Sequence, residues 1–279
     1  MEQIKMPQQL KSSMVWTSNY CFKHPVKRKH LEKENPIQMM MINGEEVCPR
    51  CETYKQTKHL QESIQQEFEN MELKKIYNTL YNKSIVSDPT ILKADFKNYL
   101  TQEAEEIANK NACMEIVERY VNGQAFNTFL QGVQGAGKSH LAYSILRVIN
   151  ENKKSVRCLF VSVEEMIRLI KDSFNNKQSK YTEQYFISLL SEVDYLVLDD
   201  IGAETGAIST EKIATDFVQR VLYGVMTARQ DKSTIITTNL SSDTLFKMYD
   251  KKLVSRMLKK PKYVLFKTTT DKRMSNIPF

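Results

Sequence analysis

Apolar residues recur along the second half of the chain in two rhythms. Residues 126–130, 156–163, 193–198 and 233–239 are short apolar runs with the length and bounds of buried strands. Leu141, Ile145, Val148 and Ile149 instead fall at helical spacing. Strands alternating with helices in this way predict an α/β fold, a parallel sheet flanked by helices on both faces. Upstream, Leu60, Ile64, Phe68 and Met71, continued by Leu73, Ile76, Tyr77 and Leu80, predict one long amphipathic helix. Packing on the rest of the chain is the ordinary use of such a face, and reception of a partner is the other. Ser87-Asp88-Pro89 breaks the pattern and places a flexible junction near 83–95, after which a helix over 103–120 leads into the first central strand. The chain therefore reads as a small module over 1–58, a helix and linker over 59–95, and a nucleotide-binding domain over 96–279.

The polar residues at the strand ends carry the chemistry. Residues 132–139, Gly-Val-Gln-Gly-Ala-Gly-Lys-Ser, fit the G-x-x-x-x-G-K-[ST] spacing of a triphosphate-binding loop, between a strand and a helix as that loop requires. Glycines let the backbone N–H groups close on phosphate oxygens, and the helix N-terminus adds about half a positive charge. Gly132, Gln134, Gly135, Ala136, Gly137, Lys138, Ser139 and His140 are the candidate nucleotide contacts. Lys138 is placed to reach the β and γ phosphates, and the Ser139 hydroxyl to ligate magnesium.

Asp199 and Asp200 close the strand at 193–198. Two carboxylates where a buried strand stops are costly unless a cation or water uses them. Asp199 is thus the candidate magnesium-positioning acid and Asp200 the candidate that orients the attacking water. Asn239 ends the next strand, either to hold that water near the γ phosphate or as a plain turn former. Ligands of open parallel sheets bind at the carboxyl ends of strands, where Gly132, Asp199 and Asn239 all fall.

Taken together, residues 130–142, 198–204, 235–240 and 253–258 resemble the DnaC/DnaI-type AAA+ ATPases that load replicative helicases, over roughly residues 112–273. The resemblance implies an AAA+ P-loop NTPase domain with ATP and Mg2+ as cofactors. Lys138 and Ser139 match the family's Walker A residues, Asp199 and Asp200 its Walker B pair, and Asn239 its sensor 1. Arg256 matches the arginine finger that reaches the nucleotide of a neighbouring subunit, so self-association through the ATPase domain is implied. Asp200 stands where many AAA+ proteins place glutamate, which leaves Asp200 or Glu204 as the catalytic acid. Arg273 corresponds to a second phosphate sensor, and little chain remains for a full helical lid. A replicative DNA helicase and single-stranded DNA are the implied partners.

The N-terminal stretch carries a second signal. Cys21-x-x-His24 and Cys48-x-x-Cys51 supply four N/S ligands from two short pairs, the donor set of tetrahedral zinc. Between them lie Lys27-Arg28-Lys29 and the turn Asn43-Gly44, with little apolar material for a core. Zn2+ compensates for that deficit. The expectation is a zinc ribbon, with reduced free thiols, or a site using His30 in place of His24, as alternatives. Cys113 and Cys158 sit in apolar contexts and read as small buried hydrophobes.

A chain of 279 residues with 41% hydrophobic content supports one sizeable core plus a small module. No apolar run approaches the ~18 residues of a membrane span, and residues 1–20 lack a signal-like apolar region, so a cytoplasmic protein without a membrane partner is expected. There its five cysteines stay reduced, which favours metal over disulfide. The net charge of +7 is uneven, with 9 Lys/Arg against a single acid over residues 251–279. Lys251, Lys252, Arg256, Lys259, Lys260 and Lys262 are either a footprint for a phosphate backbone or a solvated face. Tyr249 and Tyr263 are candidates to stack bases, while Phe266 reads as core. The expected function is ATP-dependent loading of a replicative helicase onto single-stranded DNA, the zinc module gripping the helicase. The alternatives are an IstB-type transposition helper ATPase and a P-loop kinase for a small metabolite.

Overall fold

The polar N-terminal stretch folds into short antiparallel strands rather than around an apolar centre. β1 (Val15–Cys21), β4 (Ile37–Ile42) and β5 (Glu45–Val47) form a three-stranded sheet in the order β1-β4-β5, while β2 (Val26–Arg28) and β3 (Leu31–Lys33) pair as a separate ribbon. Asn43 and Gly44 turn β4 into β5 with φ of +53° and +85°, the two left-handed positions that a tight hairpin demands. This computed structural model describes residues 15–24, 26–28, 31–33, 35–153, 155–205, 213–269 and 271–272. They divide into two compact units between Met71 and Glu72.

α1 (Pro49–Tyr77) starts directly after Cys48, earlier than its apolar pattern indicates, with proline at the first helical position. Leu60, Ile64, Phe68 and Met71 do share one stripe, but each is more than half exposed and no residue of α1 is buried. Packing, the ordinary use of that face, is therefore not realised along α1, whereas Leu80, the last residue of the pattern, lies beyond α1 and is buried in a core. The helix is supported instead along its polar surface by Gln56–Glu52, Gln65–Glu69 and Lys58–Glu62 pairs four residues apart.

In the second unit the strands and helices alternate as their rhythm predicts. α2 (Thr79–Lys83) and α3 (Ala104–Val121) precede β6 (Asn127–Gly132), α4 (Lys138–Asn152), β7 (Cys158–Ser162), α5 (Val163–Asn175), α6 (Glu183–Glu192) and β8 (Tyr195–Asp199). α7 (Asp216–Ala228), β9 (Ser233–Thr238), α8 (Ser242–Met248), α9 (Lys251–Met257) and β10 (Pro261–Phe266) complete it. The five strands pair in parallel in the order β10-β6-β9-β8-β7. Successive side chains of a strand turn to opposite faces, and here both faces are covered. Phe129, Leu159, Val161, Leu196, Leu198 and Ile236 enter one core with α5, α6, α7 and α9. Leu130, Phe160, Val197, Ile235 and Val264 enter the other with α3 and α4. Val193 ends α6 rather than opening the strand, which begins at Tyr195.

The stretch near residues 83–95, expected as a flexible junction, is fixed to the sheet through Ile85. The Ile85 N–H donates to Phe160 O at 2.9 Å and its carbonyl accepts from the Ser162 N–H at 2.7 Å, extending the sheet beyond β7. Ser-Asp-Pro acts as a cap and not as a break. The Asp88 carboxylate accepts the Thr90 N–H and hydroxyl and so starts a 3-10 turn at Pro89–Lys93.

Candidate nucleotide site

β6 delivers Gly132, and α4 begins at Lys138, so residues 133–137 form the loop between them. The Lys138 ammonium is nearly buried and folds back over this loop, donating to Gly132 O at 2.9 Å and Val133 O at 2.6 Å. A third bond of 2.6 Å runs to Asn239 Oδ1, beyond the end of β9. The Asn239 amide nitrogen in turn donates to Asp200 Oδ1 at 3.1 Å. Asn239 therefore links the loop lysine to the second strand-end acid.

Asp199 is the last residue of β8 and only 6% exposed. Burial pushes its carboxyl up to about 6 against the pull of hydrogen bonds from Thr237 and Ser139. The Thr237 hydroxyl donates to Asp199 Oδ1 at 2.7 Å and accepts the Asp200 N–H at 2.8 Å. Asp200 occupies the left-handed region, φ +57°, a backbone cost that persists where surroundings over-determine it. Thr237 is a site residue that motif reading passes over, although two threonines at the tip of a buried strand are a legible signal. Ser139 and Asp199 meet in a buried place where an isolated carboxylate is disfavoured. That donor set fits magnesium.

A cavity of about 730 Å³ runs along this cluster, bordered by Gly135, Lys138 and Ser139 on one side and Asp200, Thr237 and Asn239 on the other. Its size suits a nucleotide. Gln134, Gly137 and His140 also border it, whereas Gly132 and Ala136 do not. Of the two candidate acids, Asp200 borders the cavity and Glu204 does not. Glu204 accepts the Tyr249 hydroxyl and, at 2.8 Å, the Gly202 N–H, and burial pushes its carboxyl upward.

Tyr249 is buried in this arrangement, which removes it as a base-stacking candidate; Phe266 is buried as expected, and Tyr263 stays partly exposed. Arg256 does not border the cavity of its own chain. Its guanidinium lies 4.2 Å from the Tyr223 ring centre and its Nη1 donates to Lys252 O at 3.4 Å, while its buried Nε has no hydrogen-bond partner among the described residues. Within the basic segment, Lys259 donates to Gln230 O at 2.6 Å and Lys262 pairs with Glu115 at 2.5 Å, while Lys251, Lys252 and Lys260 are exposed. Arg273 and His30 lie outside the described residues.

In the N-terminal unit, the ligand atoms of Cys21, His24, Cys48 and Cys51 all lie within 4.8 Å of one another. Cys21 ends β1, whereas Cys48 and Cys51 straddle the start of α1, so the second pair sits on a helix N-terminus and not on a hairpin. Cys21 Sγ is 3.8 Å from Cys51 Sγ, and His24 Nε2 is 3.1 Å and 3.5 Å from Cys51 and Cys48 Sγ. A tetrahedral ion about 2.3 Å from each sulfur sets them about 3.8 Å apart, so the cluster fits zinc. Cys113 and Cys158 are buried and unpaired by disulfide.

The bacterial DnaA ATPase-domain family matches residues 92–259, well over half of the chain. The chain belongs to this family. It is an AAA+ ATPase, and the match sets aside the small-metabolite kinase alternative. The replicative helicase loader DnaC of Escherichia coli K12 is 27% identical over 63% of this chain and 67% of its own length. The chromosomal replication initiator protein DnaA 1 of Protochlamydia amoebophila is 33% identical over 38% of this chain and 22% of its own. A crystal structure of the DnaC helicase loader shares the fold, with a TM-score of 0.50 at 22% identity, covering 64% of this chain and 99% of that one. The expected parallel sheet flanked by helices and the resemblance to DnaC-type ATPases are thus borne out. No helix of the described residues in this family member is long and apolar enough to cross a membrane.

Proposed function

We propose that the protein is an ATP-dependent loader of a replicative helicase onto single-stranded DNA. The observation that carries the nucleotide part is the bridge from Lys138 through Asn239 to Asp200, which joins loop, sensor and acid around one cavity. Lys138 would exchange its carbonyl partners for the β and γ phosphates of ATP, and the loop amides would hold the same groups. Ser139 and Asp199 would hold magnesium, which supplies charge neutralisation at the phosphates. Asp200, oriented by Thr237 and Asn239, would place the attacking water.

Arg256 would act on the nucleotide of a neighbouring copy. Its separation from the cavity of its own chain and its uncommitted Nε support that reading. The likeness to DnaC supports helicase and single-stranded DNA as partners, with the zinc-bearing unit as the gripping module. Lys138→Ala is expected to abolish ATP binding, whereas Arg256→Ala spares binding and lowers turnover of the assembled form by at least about a hundredfold. Equal loss of affinity in both variants would contradict the trans role. Co-purification with replicative helicases, with and without residues 1–82, tests the partner; capture of a transposase instead would favour the IstB-type alternative.

A further inference from the structure

Two consecutive carbonyls of the phosphate loop are held by residues outside every recognised motif, both of which border the same cavity as the loop. The Tyr99 hydroxyl donates to Ala136 O at 3.1 Å, and the Lys272 N–H donates to Gly135 O at 3.1 Å. Neither approach tolerates a side chain on the loop. A Cβ on Gly137 would stand 2.6 Å from Tyr99 Cε2, and one on Gly135 would stand 1.9 Å from Asp271 Oδ1. Both glycines also have left-handed φ, +86° and +73°.

These two residues are themselves anchored. The Lys272 ammonium forms an ion pair of 2.8 Å with the buried Glu106, donates to Leu100 O, and lies 4.3 Å from the centre of the Tyr99 ring. Just before it, Glu105 accepts the N–H groups of Lys267, Thr268 and Thr269 at 2.7–3.0 Å and the Thr269 hydroxyl at 2.6 Å. The N-terminus of α3 thus fastens the segment that follows β10 beside the loop.

In a trans peptide the C=O and the next N–H lie in one plane and point in opposite directions. Pinning the Gly135 and Ala136 carbonyls toward Lys272 and Tyr99 therefore turns the Ala136 and Gly137 amides away from those two residues. We infer that Tyr99 and Lys272 are positioning residues for phosphate binding: they fix the loop's peptide planes so that its amides are aimed at a polyphosphate before one arrives. The inference rests on the nucleotide reading of the cavity. It gives Lys272 a hold on the loop through its backbone N–H, while its ammonium, at the cavity border, is engaged by Glu106, Leu100 and Tyr99.

The test is a titration of the full-length, zinc-replete protein with fluorescent ATP and ADP analogues, alongside steady-state turnover. Tyr99→Phe keeps the ring and removes only the hydroxyl. It is expected to weaken ATP and ADP alike by about tenfold, raising KM with kcat within twofold, while the nucleotide-free melting temperature is unchanged. Glu106→Gln, which loosens Lys272 from outside the loop, is expected to weaken both about threefold and serves as the second variant should Tyr99→Phe fold poorly. Unchanged affinity in a folded variant overturns the inference, as does a loss confined to kcat. If the unaltered protein itself binds no adenine nucleotide, the nucleotide reading fails instead, which is a separate result.

Discussion

The two units of the chain solve the same stability problem with different material. In the C-terminal unit a five-stranded sheet separates two apolar cores, each lined by Leu, Ile, Val and Phe side chains from strands and helices. Among the described residues of the N-terminal unit, the buried apolar side chains are Cys21, Met40 and Cys48. Two of those three are thiols of the metal-binding cluster. What buries the ATPase domain is therefore hydrophobic area, whereas the smaller unit has little of it and instead a Cys/His cluster that fits a metal ion. The former is expected to persist when metal is withdrawn, and the latter is not.

Chelation is the widest way to break that contrast. Removing zinc, or replacing Cys48 with Ser, is expected to cost the N-terminal unit on the order of 10 kcal/mol of metal-derived stability. Amide exchange should then become fast over residues 15–48 while ATP binding by the larger unit stays within twofold. Protection that survives chelation would show that the small unit has a sufficient core after all.

The reverse experiment strikes only the larger unit. Arg229 is buried with its guanidinium bonded to the carbonyls of Leu190, Val193, Asp194 and Ser233 and to the Thr234 hydroxyl. It ties the end of α6 and the starts of β8 and β9, and burial pushes its pKa down to about 9. Arg229→Met leaves four carbonyls without their donor and is expected to destabilise this unit by about 3 kcal/mol. Denaturant melts followed separately in the two units check this. An unchanged midpoint for the larger unit would refute it.

An effect no larger, and of opposite sign, is expected at the strand-end carboxylate Asp199. Burial pushes the Asp199 carboxyl up to about 6 in the folded protein, above the ordinary aspartate value of 3.8, so the native state holds its proton more tightly than the unfolded chain does. Metal-free stability should therefore fall as pH rises from about 4 to about 6 and then level off, a loss of up to about 3 kcal/mol. Asp199→Asn removes this penalty. It is expected to raise the melting temperature above pH 6 without nucleotide while eliminating magnesium-dependent turnover. A variant less stable than the parent at pH 7 would show that the carboxylate is already compensated.

Much of the larger unit was legible because its chemistry is local. Residues 132–139 have fixed spacing, and Asp199, Asp200 and Asn239 each end an apolar strand, so period and punctuation located them together. The remainder depends on contacts distant in sequence. Tyr99 meets Ala136, Glu105 meets Thr269, and Lys272 meets Gly135, and no spacing rule announces such pairs. Ser87-Asp88-Pro89 has the composition of a breaker, yet Ile85 lends its backbone to the sheet edge and Asp88 caps a turn. Leu60, Ile64, Phe68 and Met71 have the spacing of a packed face, and spacing alone does not supply the surface that covers it. In the smaller unit the four ligands were readable as pairs, but the placement of Cys48 and Cys51 on a helix start came only from the fold.

The central claim is that a triphosphate binds where β6, β8 and β9 end. Calorimetric titration of full-length, zinc-replete protein with Mg-ATP tests it directly. The account predicts micromolar binding that is lost in Lys138→Ala and retained in Cys48→Ser. No heat from the unaltered protein, or equal binding by Lys138→Ala, would contradict it.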